Sequence, residues 1–66
     1  MAYWENNDLT TRKLLNKLVQ YGVIRTVRYI PSGVDFLYAG RVVSLPMGEA
    51  KWFALAHLYH LENDDL

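Results

Sequence analysis

The sequence predicts a small α+β domain in the order helix, strand, strand, strand, helix, with two helices packed on a three-stranded antiparallel meander. Three observations carry that expectation. Leu14, Leu15, Leu18 and Val19 recur at helical spacing. The run Val23 to Ile30 is rich in β-branched residues and is followed at once by Pro31, Ser32 and Gly33, a turn-forming group. Beyond Pro46 the apolar residues return to helical spacing, with Leu55, Leu58, Tyr59 and Leu61 on one side and Phe53, Ala56, His57 and His60 on another.

Taken in chain order, the first helix is expected over 8–21, capped by Asn7 or Asp8 and stopped by Gly22 directly after Tyr21. Arg12, Lys13, Asn16, Lys17 and Gln20 gather on its polar side, which is almost free of acids. The first hairpin is expected to turn through a three-residue loop, Pro31 to Gly33, with Ile30 facing Val34. That register puts Ile24, Thr26, Arg28, Phe36 and Tyr38 on one face, and Val23, Arg25, Val27, Tyr29, Asp35 and Leu37 on the other. Neither set is cleanly polar, so alternation does not choose the core side. If Arg28, Phe36 and Tyr38 lie open together they form a stacking platform for bases; if covered, they are core. Gly40 and Arg41 make a second tight turn into a short strand, Val42 to Leu45, and the second helix is expected over 48–62. The whole chain, 1–66, is one domain, with 1–7 and 63–66 expected to be less ordered.

A chain this short buries only about 60% of its unfolded surface, so it calls for some stabilising addition. There is no cysteine, which removes disulfides, thiol nucleophiles and thiolate metal sites and leaves oligomerisation as the expected addition. A composition that is 52% hydrophobic is too apolar for a disordered segment. No apolar run is long enough to span a membrane, and the start MAYWENNDL lacks the basic and then apolar build of a signal peptide, so a cytoplasmic location and no membrane partner are expected.

The formal charge is zero, yet six of the seven basic residues lie between Arg12 and Arg41 against the single acid Asp35, a local excess of five. Such a stretch, with aromatic residues interleaved, points to phosphate. The candidate nucleic-acid contacts are Arg12, Lys13, Asn16, Lys17, Arg25, Arg28 and Arg41. An ordinary solvated helix face, with arginine stems lying over the sheet, accounts for the same residues structurally.

Trp52 and Phe53 are adjacent on the second helix and so point about 100° apart. They cannot both face one narrow core, so either a thin core wraps the second helix or Trp52, Phe53, His57 and His60 make a homodimer contact, which is the expected interface. His57 and His60 are three apart and can share a helix face, but a metal would need further ligands that the sequence supplies only in Glu62, Asp64 or the chain end. No metal and no cofactor are expected. Ser32 and Ser44 sit in no nucleophile motif, the acids cluster near helix ends, and the four glycines stand apart, so no catalytic residue is assigned and no enzyme is expected.

The element order and size are similar to those of double-stranded RNA-binding domains, whose second helix carries a pattern A-K-x-x-A-A-x-x-A-L that Ala50-Lys51-Trp52-Phe53-Ala54-Leu55 loosely follows. Where that family has a lysine cluster, this chain has Met47, Gly48 and Glu49. Separately, Arg12-Lys13-Leu14-Leu15-Asn16-Lys17-Leu18-Val19, running into Gly22-Val23-Ile24-Arg25, resembles the recognition helix and wing of winged-helix DNA-binding proteins. The first resemblance implies RNA or protein contact, and the second a basic helix beside an arginine-bearing hairpin. The leading expectation is therefore a non-enzymatic, dimeric nucleic-acid-binding or regulatory module, for DNA or RNA. The rival is a small inhibitor or adaptor, of the kind phages and mobile elements encode, that docks on one host protein.

Overall fold

The computed structural model describes residues 2–63, with side chains from Leu9 to Asn63. The order is α1 (Ala2–Gln20), β1 (Ile24–Ile30), β2 (Gly33–Tyr38), β3 (Arg41–Leu45) and α2 (Met47–Asn63), and the three strands form an antiparallel meander in sequence order. Helix α1 begins at Ala2 rather than Asp8, because nothing between them breaks a helix, and Asn7 and Asp8 lie inside it instead of capping it. Of the ends expected to be less ordered, residues 2–7 and Asn63 belong to helices, while Met1 and 64–66 lie outside the described residues.

The C-terminus of α1 shows how the chain stops a helix. Gly22 takes φ +80°, its N–H donates to the Val19 carbonyl at 3.0 Å, and the Val23 N–H donates to the Leu18 carbonyl at 2.9 Å. That bond pair is a Schellman cap, and Val23 packs against the core cluster to which Leu18 belongs. At the other helix, the Ala50 N–H donates to the Pro46 carbonyl at 2.9 Å, and Glu49 places its charge on the first turn.

Both hairpin turns are two residues long. Ala39 and Gly40 have φ of 53° and 80° between the paired Tyr38 and Arg41, the two positive values a type I′ turn demands. Pro31 cannot adopt positive φ, so the first hairpin needs another device. Ile30 pairs with Gly33 rather than Val34, and Gly33 takes φ +154° where a Cβ would overlap the Leu45 carbonyl. The expected three-residue loop is thus corrected: Gly33 opens β2.

A bulge in β1 makes the second correction. Arg25 pairs with Leu37 and Arg28 with Asp35, so Thr26 and Val27 together stand opposite Phe36. The extra residue switches the alternation midway. Ile24 before it and Val27 and Tyr29 after it all face the helices, together with Val34, Phe36 and Tyr38, while Arg25 and Arg28 face out with Asp35 and Leu37. Thr26 carries the strain, holding φ 55° in a region that costs a non-glycine residue about 1–3 kcal/mol.

The core is Leu15, Leu18, Ile24, Val34, Phe36, Ala50, Ala54 and Leu58, joined by the buried Thr11. In α1 the inward stripe is Thr11, Leu15 and Leu18, with Leu14 half-buried; Val19, expected inside, is exposed. Each fully buried Leu or Ile contributes about 1.5–3 kcal/mol. Ala50 and Ala54, four apart, let α1 approach closely, and the two helices run in the same general direction, Thr11 lying near Gly48 and Lys17 near Glu62. Helices cover one face of the sheet; the other is open.

Candidate functional site

Helix α1 presents Arg12, Lys13, Asn16 and Lys17 on its exposed side. The Arg12 guanidinium lies over the Tyr29 ring, 4.2 Å from its centroid, which couples α1 to β1 by a cation–π contact. Lys17 Nζ is 3.6 Å from Glu62 Oε2, and the Tyr21 hydroxyl donates to the same oxygen at 3.4 Å, so the C-terminal parts of the two helices are tied at the surface. From Leu9 to Gln20 the helix itself carries no acidic residue, and Glu62 of α2 is the acid that meets Lys17.

The strand arginines lie elsewhere. Arg25 and Arg28 project from the open face of the sheet, away from the helices. Arg28 Nη2 donates to Asp35 Oδ2 at 3.4 Å; the other carboxylate oxygen, Oδ1, is buried without a hydrogen-bond partner. Exposed pairs of this kind contribute at most about 1 kcal/mol. Arg41 opens β3 at the opposite edge, two strand spacings of about 4.8 Å from β1. The six cations therefore do not form one flat surface: a ligand touching α1 and the strand arginines together must wrap round the β1 edge.

Of the two alternatives for Arg28, Phe36 and Tyr38, the two aromatics belong to the core and Arg28 lies on the other face. Phe36 is buried, and Tyr38 packs edge-on against Phe53, with ring centroids 5.2 Å apart. Both are covered by α2 because the bulge gives that side of the sheet to the core. Phe53 also stacks on Phe36 at 5.0 Å and on His57 at 4.3 Å. His57 Nδ1–H donates to the Phe53 carbonyl at 2.9 Å, leaving Nε2 to accept from the Tyr38 hydroxyl at 3.1 Å. Phe53 and His57, expected at a dimer contact, are thus engaged within the fold. Trp52 and His60 are exposed, and Tyr59 is exposed on the same side of α2 as Trp52. Among the described residues no cluster of three or more His, Asp or Glu is placed to hold a metal.

Two cavities were not legible in the sequence. The larger, about 540 Å³, lies where α1, the β1–β2 turn and the start of α2 meet, with Arg12 and Lys51 both on its wall and Tyr29, Gly48 and Trp52 beside them. It joins cations 39 positions apart in sequence, so only the packing of α1 on α2 reveals it. The second, about 490 Å³, is a groove along the helix seam bounded by Leu14, Lys17, Trp52, Leu55, Ala56 and Tyr59. No described helix is long and apolar enough to cross a membrane. Comparison with known proteins found no family model, no curated protein and no solved structure that matches the chain.

Proposed function

We propose that this chain is a non-enzymatic binding module that contacts the phosphate backbone of a nucleic acid along the exposed side of α1. The observation that carries this reading is the charge of that side: Arg12, Lys13 and Lys17, with Asn16 between them, and no acid from Leu9 to Gln20. Regular helical spacing matches such a row to phosphates, and Asn16 adds a neutral donor. Arg12 is held by Tyr29 at one end of the row, where the cleft brings Lys51 beside it. Arg25 and Arg28 extend the footprint only for a ligand that turns the β1 edge, and Arg41 falls outside it.

Fluorescence anisotropy with labelled duplex RNA, duplex DNA and single strands, each at 50 and 200 mM salt, tests the proposal. With three or four phosphate contacts the affinity should fall roughly 40- to 150-fold across that range. Arg12→Glu combined with Lys17→Glu should abolish binding, whereas Arg41→Glu should leave it within about twofold. Binding indifferent to salt, or unaffected by the double substitution, removes the reading.

One observation favours protein contact as a second activity. Trp52 is 70% exposed and Tyr59 66%, on the same side of α2. Large aromatic groups left open in this way are typical of association surfaces.

A further inference from the structure

We infer, resting on the phosphate contact proposed for α1, that the nucleic acid is single-stranded and that one of its unpaired bases lodges in the cleft between α1, the β1–β2 turn and α2, stacked on Trp52.

The cleft stands at one end of the α1 row and shares Arg12 with it. A chain of phosphates laid along Lys17, Lys13 and Arg12 therefore arrives at its mouth. Its volume of about 540 Å³ falls within the roughly 300–1,000 Å³ of clefts that hold small molecules. Among the described residues its wall carries two cations, Arg12 and Lys51, and no acid. Both cations also make interactions inside the chain, so the hold on the base falls to Trp52, while the charges draw in the backbone beside it.

Two aromatic rings border the cleft, and they differ in what they already hold. Tyr29 is half-buried and has the Arg12 guanidinium over its ring. Trp52 is 70% exposed and stacks on no other described ring. Single-strand sites combine these same two parts: cations follow the backbone and an open aromatic face receives a base. A duplex keeps its base faces stacked on one another, and a base must be unpaired and flipped out before it can reach an indole. An aromatic side chain of a protein also fits against Trp52, but it brings no anionic chain to run along Lys13 and Lys17.

Gly48 keeps the cleft roomy. It lies on the wall in the first turn of α2, and a Cβ there would meet no atom within 4 Å. A larger side chain at this position takes up cleft space without disturbing the packing, and leucine is a better helix former than glycine.

Fluorescence anisotropy at low salt, with a labelled strand of about twelve nucleotides and with the duplex of the same sequence, tests the inference. The single strand should bind at least about tenfold more tightly than the duplex, because it needs no base flipping. Trp52→Ala should weaken single-strand binding roughly 5- to 150-fold, the worth of one base stacked on an aromatic ring, and leave the salt slope unchanged because no cation is lost. Gly48→Leu should weaken it to a similar extent with far-UV circular dichroism unchanged. Tyr59→Ser, exposed on the same side of α2 but off the cleft wall, should leave binding within about twofold. In a Trp4→Phe chain Trp52 is the one remaining tryptophan, and its emission should fall when the strand binds. A duplex that binds as tightly as the single strand overturns the base-in-cleft assignment and leaves the α1 contact standing. Single-strand binding that neither Trp52→Ala nor Gly48→Leu weakens does the same. If neither form of nucleic acid binds, the α1 contact and the cleft assignment fall together.

Discussion

The two helices solve the same packing problem differently. Helix α1 puts Thr11, Leu15 and Leu18 against the core and gives Arg12, Lys13, Asn16 and Lys17 to solvent. Helix α2 buries small groups, Ala50 and Ala54, beside Leu58, and leaves Trp52 and Tyr59 outside. One helix is finished by the fold of a single chain; the other is closely packed on its inner side and still apolar on its outer side. The difference between the helices therefore separates the residues that hold the chain together from the aromatic groups that the chain's own core does not use.

The sharpest break of the comparison comes from one substitution on each helix. Leu15→Ala should lower the unfolding free energy by about 2–5 kcal/mol, much of the roughly 3–10 kcal/mol a domain of this size possesses. Urea titration followed by circular dichroism measures it. Gly33→Ala comes next, at about 1–3 kcal/mol, because the positive φ and the Leu45 carbonyl both oppose a side chain there. Trp52→Ser should change stability by less than about 0.5 kcal/mol. Were it to cost as much as Leu15→Ala, the outer side of α2 would be serving the chain's own core. Thr26→Asn should have the smallest effect, a gain of about 0.5 kcal/mol from a residue better suited to the left-handed region.

The order and type of all five elements were readable from periodicity and turn residues, and so was the Gly22 stop, because local chemistry dictates each. The divergence of Trp52 and Phe53 by about 100° followed from helical geometry alone, although the choice of which turned outward did not. What escaped was the sheet's inner face. Thr26 carries no signature of a bulge, and without it Ile24 and Tyr29 appear to point opposite ways. The basic stretch suffered the same loss: its cations are contiguous in sequence, but the bulge sends Arg25 and Arg28 outward while α1 lies on the inner face. The convergence of Arg12 and Lys51 depends on helix packing and had no sequence signal.

The bulge bears also on how this sheet avoids its own kind. A three-stranded sheet ends in two edges whose unpaired backbone groups invite strands from other molecules. At β1 the disrupted alternation and added twist around Thr26 deny an incoming strand a continuous straight template. At β3 the edge is only five residues long, with Arg41 at its start and Pro46 immediately beyond it. Neither edge favours fibrous growth by strand addition, so the strain held at Thr26 also interrupts one of the two templates that the sheet presents.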